Sequence, residues 1–180
     1  EEQSSASLDA IRKAKAGEYR NQVVESYGHF YRLMMAEIEV TLKEFKHRFP
    51  DYDGRGYELA GFVWFQGWND MYNGFQDEYA ANMANFIRDV RKDLKTPKLP
   101  FVIGVMGAGG PIAKYGPDQK RYAGIHGEFR KAMAAPAKLP EFKGNVTAVL
   151  TENYWDQQLS ELVDRRGKVN AKRRELSKDK

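Results

Sequence analysis

The chain has 180 residues, of which 42% are hydrophobic and 13% aromatic, and its formal net charge is +4. A chain of this length and composition can bury the core of one globular domain, and it is too apolar for a disordered segment. It contains no cysteine, which excludes disulfides, thiolate catalysis and zinc-thiolate sites.

The basic charge is concentrated at the carboxyl end of the chain. Residues 165–180 carry a net charge of +6, so the remaining residues carry −2. A basic helix can bind phosphates, but no aromatic residues that could stack on bases are interleaved with these charges. No apolar run approaches the roughly 20 residues that span a bilayer. We therefore interpret the basic segment as a solvated helix face and expect neither a nucleic-acid partner nor a membrane partner.

The first third of the chain predicts a polar segment, a long helix and a strand. Residues 1–26 are polar with little periodicity and are expected to form a flexible lead-in, although Leu8 to Lys15 could be helical. From Tyr27 onward, apolar residues fall on one stripe of a helix that Pro50 ends. The apolar run at 58–65 then predicts the first strand.

Helices and strands alternate along the rest of the chain. The pattern predicts helices at 76–95, at 118–135 with Asp118 as a plausible cap, and from about Trp155, and it predicts strands at 100–106 and 145–151. Continuous apolar strands between amphipathic helices are typical of a parallel sheet covered on both faces. The sequence therefore predicts an α/β fold with three layers, α/β/α, and a site at the carboxyl edge of the sheet.

A polar cluster begins where the first predicted strand ends. The run from Leu59 to Phe65 stops abruptly at Gln66-Gly67-Trp68-Asn69-Asp70. A glycine at such a position allows close approach of the backbone to a ligand, and an asparagine offers an uncharged amide donor. These groups suit an oxyanion hole, in which donors face the negative charge that develops during acyl transfer.

This cluster resembles the Gly-x-Asn-Asp block of the SGNH hydrolases. The surrounding Trp64-Phe65-Gln66-Gly67 is similar to the Trp-x-Gln-Gly version in sialate O-acetylesterases and related acetylxylan esterases, and the looser resemblance covers roughly residues 27–165. It implies a flavodoxin-like (SGNH) fold and removal of O-acetyl groups from sialic acid or polysaccharide by a serine-hydrolase mechanism. Gln66, Gly67 and Asn69 would stabilise the oxyanion, and Asp70 would more naturally brace the loop than act as a base.

The chain departs from the family layout at both catalytic proton-transfer positions. None of its six serines lies at a predicted strand end beside a glycine; they are Ser4, Ser5, Ser7, Ser26, Ser160 and Ser177. Its three histidines all lie in predicted helices, and none belongs to an Asp-x-x-His pattern; they are His29, His47 and His126. The resemblance places the nucleophile block before residue 1 and the catalytic histidine after residue 180. Residues 27–180 are therefore expected to be the central part of one esterase domain, with an incomplete sheet.

Two other loop residues are candidates for substrate binding. Trp64 and Trp68 could form a sugar platform, since aromatic faces pack on apolar sugar surfaces, and for the pair together core packing is an equally good interpretation. Trp64 lies in mid-strand, which favours the core, whereas Trp68 lies in the block, where it could line the pocket. Gly109 lies in the glycine-rich segment 107–111 after the second strand, which does not match the phosphate-loop patterns and favours a mobile loop at the rim of a site. We expect no metal and no cofactor.

Two further function classes remain open from the sequence. One is a non-catalytic carbohydrate-binding or scaffold domain with a degenerate esterase fold. The other is a flavodoxin-like nucleotide or flavin binder, which only the predicted architecture supports. The resemblance also implies export of the parent protein to the periplasm or the extracellular space, although Glu1 to Ser5 is not a signal peptide.

Overall fold

The computed structural model describes the backbone of residues 2–177 and the side chains of residues 13–177. It divides into two compact units, Glu1–Tyr57 and Glu58–Lys180, and the candidate site lies in the second. Of the basic tail, Lys178 and Lys180 lie outside the described residues. No helix in the described part of the chain is long and apolar enough to cross a membrane.

The first unit is helical. It contains α1 (Glu2–Ser26), α2 (His29–Lys43) and α3 (Phe45–Arg48). The polar segment expected to be a flexible lead-in is thus helical over its whole described length, well beyond Leu8 to Lys15. The prediction of one helix from Tyr27 to Pro50 is wrong in one respect, because the backbone leaves the helical conformation at Glu44 and separates α2 from α3.

The second unit alternates strands and helices in the predicted order. Its strands are β1 (Phe62–Trp64), β2 (Phe101–Val105) and β3 (Val146–Leu150), and its helices are α4 (Phe75–Asp93), α5 (Ala123–Ala134) and α6 (Gln157–Leu176). The strands are adjacent in the order β1-β2-β3 and parallel, with Phe62 beside Phe101 and Phe101 beside Val146. The predicted α/β class and parallel sheet are confirmed.

The helix boundaries follow from local chemistry. Helix α4 has acidic Asp77 and Glu78 in its first turn and basic residues in its last turn, which complements the helix dipole. Asp156 caps α6 by accepting a hydrogen bond from the backbone N–H of Leu159 at 2.8 Å. Asp118 does not cap α5, since a 3₁₀ turn precedes that helix and α5 begins only at Ala123.

The core lies between one face of the sheet and the helices α4 and α5. Phe86 of α4 packs against Phe62, Trp64 and Phe101, and the side chains of Ile103 and Phe129 are fully buried. Burial of a fully buried side chain such as Ile103 or Phe129 stabilises the fold by about 1.5–3 kcal/mol relative to exposure.

The opposite face of the sheet is not covered within this unit. Val63 is 73% exposed and Phe65 is 64% exposed, although Phe65 lies across Gly104 of the neighbouring strand. The described residues of Glu58–Lys180 thus supply one of the two helical layers that a complete three-layer fold requires. This arrangement agrees with the expected incomplete α/β fold.

Candidate active site

The candidate site lies at the carboxyl edge of the sheet, where the loops after β1, β2 and β3 meet. The loop after β1 carries Gln66 to Asp70, and it continues as a 3₁₀ turn, Trp68–Met71. The loop after β2 carries the glycine-rich segment, and the loop after β3 carries Glu152. Because parallel strands end at one edge, three loops that are distant in sequence contribute to one surface.

The polar side chains of the first loop are arranged by one internal hydrogen bond. Gln66 Nε2 donates to Asp70 Oδ2 at 2.8 Å, and the backbone N–H of Asp70 donates to the carbonyl of Gly67 at 3.0 Å. The buried side chain of Met71 anchors the end of the turn. Asn69 is exposed, and within the described residues its side chain makes no hydrogen bond, so its amide is available to a ligand.

Gly67 occupies a position that strongly disfavours any residue with a Cβ. Its φ is +149°, and a Cβ there would lie 2.9 Å from Phe129 Cζ and 3.3 Å from the Tyr79 hydroxyl. The same hydroxyl donates to the carbonyl of Gln66 at 2.8 Å. Burial raises the pKa of Tyr79 to about 12, so the hydroxyl remains a donor at neutral pH. The strand exit is therefore held close against α4 and α5.

The two tryptophans of the motif occupy different environments. Trp68 is 52% exposed and its indole ring lies 6.3 Å from the ring of His126. Trp64 is half-buried and packs on Phe86 with ring centroids 4.4 Å apart. Trp64 thus packs in the core, as its mid-strand position favoured, and of these two tryptophans Trp68 is the one with an exposed face at the loop edge.

The glycine-rich segment after β2 is tightly packed. A Cβ on Gly107 would lie 2.2 Å from the backbone nitrogen of Glu152, so the loops after β2 and β3 touch at the backbone. Gly109 has φ +83° and lies over the ring of Tyr115, whose hydroxyl oxygen would be 3.1 Å from an added Cβ. The N–H of Gly110 donates to the carbonyl of Gly107 at 2.8 Å, which closes the turn.

A buried arginine on α5 holds these loops together. Arg130 is only 6% exposed, and its Nη2 donates to the carbonyl of Ala108 at 2.9 Å and to the hydroxyl of Tyr115 at 3.0 Å. Its Nη1 donates to the carbonyl of Gly110 at 3.2 Å and forms an ion pair with Glu152. One guanidinium therefore fixes the loop after β2 and joins it to the loop after β3.

His126 extends this polar network toward Trp68. Its Nδ1 lies 2.7 Å from the Tyr115 hydroxyl, and its ring stacks on Tyr122 with centroids 5.7 Å apart. Burial lowers the pKa of His126, and the positive charge of Arg130 lowers it further. His126 is therefore predominantly neutral at neutral pH, and its Nδ1 is engaged in positioning Tyr115.

Sequence reasoning missed the network of Arg130, Glu152, Tyr115 and His126. Arginine and glutamate are usually exposed, so nothing in their residue type indicated burial. The available signal was the spacing of His126 and Arg130, which are four residues apart and therefore lie on the same face of α5. Within the described residues, no three His, Cys, Asp or Glu side chains form a cluster that could hold a metal ion.

The fold and the site together define an α/β protein whose polar loops converge at the carboxyl edge of a parallel sheet. Comparison with protein families identifies it further: the model of the carbohydrate esterase, sialic acid-specific acetylesterase family matches residues 1–160. The chain belongs to this family of carbohydrate esterases. No curated protein and no solved structure gives a significant match.

Proposed function

We propose that this chain supplies the oxyanion-stabilising loop of a serine-type esterase that removes O-acetyl groups from carbohydrate. The observation that carries the proposal is that Gln66 and Asp70 hydrogen-bond to each other while the neighbouring Asn69 amide stays free within the described residues, in a member of a carbohydrate esterase family. Asp70 accepts a hydrogen bond and braces the loop, while the amide of Asn69 faces solvent. An amide donor held on a rigid turn suits the negative charge of a tetrahedral intermediate.

The other residues of the loop support the same function. Gln66 has a second N–H beyond the one that Asp70 accepts, so it can also donate to the oxyanion. Gly67 allows the loop to pack against Phe129 and Tyr79, which limits its movement. We assign substrate contact to Trp68 and to the loop at Gly109, which lie on the same edge of the sheet as Asn69.

The proposal assigns the nucleophile and the catalytic histidine to residues outside the 180. Ser26 and Ser177 donate to backbone carbonyls of their own helices, at 2.6 and 2.7 Å, and Ser160 lies on α6. The Nδ1 of His126 is engaged by Tyr115, and no serine hydroxyl bonds to this ring within the described residues. A triad requires a serine within hydrogen-bond reach of a histidine, and the side chains of residues 13–177 include no such pair.

The experiment that tests the proposal compares acetate release by two proteins. One is the 180-residue chain, and the other is a longer chain expressed from the same gene together with its flanking coding sequence. We expect no hydrolysis of p-nitrophenyl acetate by the 180 residues above a heat-denatured control, and release of acetate from acetylated xylan or O-acetylated sialic acid by the extended chain. A serine-directed fluorophosphonate should abolish that release.

Two results would contradict the proposal. A rate in the 180-residue chain that a single Ser→Ala change abolishes would place the nucleophile inside it. An extended chain that binds acetylated carbohydrate but releases no acetate would establish the alternative function, a non-catalytic carbohydrate-binding domain.

A further inference from the structure

The loop that carries the Gly-x-Asn-Asp motif closes mainly on itself. Gln66 Nε2 donates to the Asp70 carboxylate at 2.8 Å, and the Asp70 N–H donates to the carbonyl of Gly67 at 3.0 Å. Both bonds join residues within the loop, so they shape the turn without fixing where it lies on the protein. A loop whose donors must face one reacting atom also needs an attachment to the rigid elements around it.

The Tyr79 hydroxyl of α4 supplies such an attachment. It donates to the backbone carbonyl of Gln66 at 2.8 Å, across a separation of 13 residues. Among the residues that the structure describes, this is the one hydrogen bond between residues 66–71 and a more distant part of the chain. It is made where the strand ends, so it fixes the start of the turn that carries Asn69.

The surroundings of Tyr79 hold its hydroxyl in one place. The residue is 6% exposed, and its ring packs edge-on against Phe129 of α5 with centroids 4.8 Å apart. A Cβ added at Gly67 would lie 3.3 Å from the hydroxyl, so the backbone of the loop lies directly against it. Burial raises the pKa of Tyr79 to about 12, and interaction with the Trp64 indole opposes part of the rise. The hydroxyl therefore remains a donor over the pH range in which an esterase is assayed.

We propose that Tyr79 is a positioning residue for the esterase reaction, whose hydroxyl holds the Gln66 carbonyl and thereby keeps the Asn69 amide aimed at the oxyanion. The inference rests on the proposed function, because Tyr79 acts through the oxyanion loop. Asn69 lies three residues after Gln66, so movement at the strand exit displaces its amide as well. A donor displaced by about 1 Å from the developing charge loses much of its effect on the rate.

The test compares Tyr79→Phe with wild type in the extended chain, with p-nitrophenyl acetate as the substrate. The substitution removes one hydroxyl and keeps the ring that packs on Phe129, so the variant is expected to fold, which circular dichroism checks. We expect kcat to fall about tenfold, the upper range for one net hydrogen bond, while KM stays within about twofold. A purely structural role would lower the resistance to urea and leave kcat unchanged.

Tyr52→Phe is the matched control for the loss of a hydroxyl. The Tyr52 hydroxyl also donates to a backbone carbonyl, that of Gly56 at 2.6 Å, and it lies in the first unit, outside the loop. The control therefore loses the same group and the same kind of hydrogen bond. We expect it to retain the wild-type kcat.

A double variant identifies the route by which Tyr79 acts. If the hydroxyl acts by aiming the Asn69 amide, its removal should cost little once that amide is absent. The kcat of Tyr79→Phe combined with Asn69→Ala should then lie within about twofold of that of Asn69→Ala alone. Independent, multiplicative effects of the two substitutions would show that Tyr79 does not act through Asn69 and would overturn the inference.

Hydrogen exchange in the 180-residue chain measures the attachment of the loop without any chemical step. The Asp70 N–H, which donates to the Gly67 carbonyl, should be protected in wild type and should exchange about tenfold faster in Tyr79→Phe. Exchange at the rate of a free peptide in wild type, or at equal rates in the two proteins, contradicts the inference.

Failure of this inference and failure of the esterase proposal give different results. An extended wild-type chain that releases no acetate would remove the esterase proposal and, with it, any role of Tyr79 in the reaction. Acetate release by wild type together with an unchanged kcat in Tyr79→Phe would overturn this inference alone and leave the esterase proposal standing.

Discussion

The guanidinium of Arg130 and the carboxylate of Glu152 form an ion pair that joins helix α5 to the loop after β3. The same guanidinium also donates to the carbonyls of Ala108 and Gly110 in the loop after β2. Two loops of the carboxyl edge therefore depend on a single buried side chain. This dependence makes Arg130 a sensitive position for stability even though it lies outside the Gly-x-Asn-Asp motif.

We predict that Arg130→Met lowers the free energy of unfolding by about 3 kcal/mol, because it leaves the Glu152 carboxylate and the carbonyl of Gly110 without their arginine donor in a partly buried place. Urea unfolding followed by circular dichroism measures the change. Arg88→Met is the matched control, since Arg88 also pairs with a glutamate, Glu141, but both partners are about half exposed. Its effect should be much smaller. Equal effects of the two substitutions would mean that the Arg130 network is not a stability determinant.

Gly67→Ala should be destabilising for two separable reasons. The added Cβ would approach Phe129 Cζ to 2.9 Å, and the φ of +149° is unfavourable for alanine. Together we expect a loss of about 2–4 kcal/mol in urea unfolding. Gly74→Ala isolates the backbone contribution, because φ is +84° there but no atom lies within 4 Å of a new Cβ. We expect about 1 kcal/mol for Gly74→Ala, and a Gly67 effect no larger than this would show that the site can relax.

His126 should make stability depend on pH. Its folded-state pKa is below that of the unfolded chain, so the unfolded state binds the proton first as the pH falls. The neutral form therefore contributes stability that is present above the unfolded pKa of about 6.5 and is lost as the pH falls toward the folded-state value.

The measurement is melting temperature between pH 7.5 and pH 5 for wild type and His126→Gln. We expect the decrease on acidification to be smaller in the variant, because glutamine does not titrate. His47→Gln, at an exposed histidine of α3, serves as the control and should retain the wild-type decrease. An unchanged pH profile in His126→Gln would show that another group is responsible.

The sequence predicts the strands of the sheet well, but it does not predict the hydrogen-bond network of Arg130. The strands at 101–105 and 146–150 were predicted within one residue at each end, because their apolar residues are consecutive and the hydrophobic effect requires a buried, sheet-like position. The first strand was predicted at 58–65 and extends only over Phe62–Trp64. Among the described residues it pairs only with β2, over Phe62–Trp64, and most of the difference lies before the strand, because residues 58–61 are not paired in this ladder.

The loop from Gln66 to Asp70 could be predicted, because a local sequence motif specifies its turn. The buried position of Arg130 could not, because it depends on contacts between residues distant in sequence. The Gln66–Asp70 bond is local, with a separation of four residues, and a bracing role for Asp70 was inferred from the sequence. The contacts of Arg130 span 15 to 22 residues and depend on the packing of α5 under the loop after β2. The break at Glu44 likewise lacks a proline or glycine that would signal it.

The uncovered face of the sheet should be detectable in solution. Val63 and Phe65 expose most of their apolar surface, and such surface on a sheet favours dye binding or self-association. We predict that the 180-residue chain enhances the fluorescence of anilinonaphthalene sulfonate and that Val63→Lys reduces the enhancement. A monomer that binds no dye and melts in one sharp transition would contradict the prediction.

The role of Asn69 can be tested in a catalytically competent, extended chain. Asn69→Ala should lower kcat by about 10²–10³, the usual effect of removing one oxyanion-hole donor. KM should change little, because the amide interacts more strongly with the developing oxyanion than with the ground-state carbonyl. Since Asn69 is exposed and its side chain bonds to none of the described residues, the variant should unfold at the wild-type urea concentration.

Two neighbouring substitutions make the Asn69 experiment specific. Trp68→Ala should raise KM while leaving kcat nearly unchanged, because the half-exposed indole is a wall for substrate and not a donor to the oxyanion. Gln66→Ala should have an intermediate effect, since it removes a possible donor and also the partner that holds Asp70. If Asn69→Ala leaves kcat within about twofold of wild type, the turn is structural and the oxyanion donors must be sought elsewhere on the carboxyl edge.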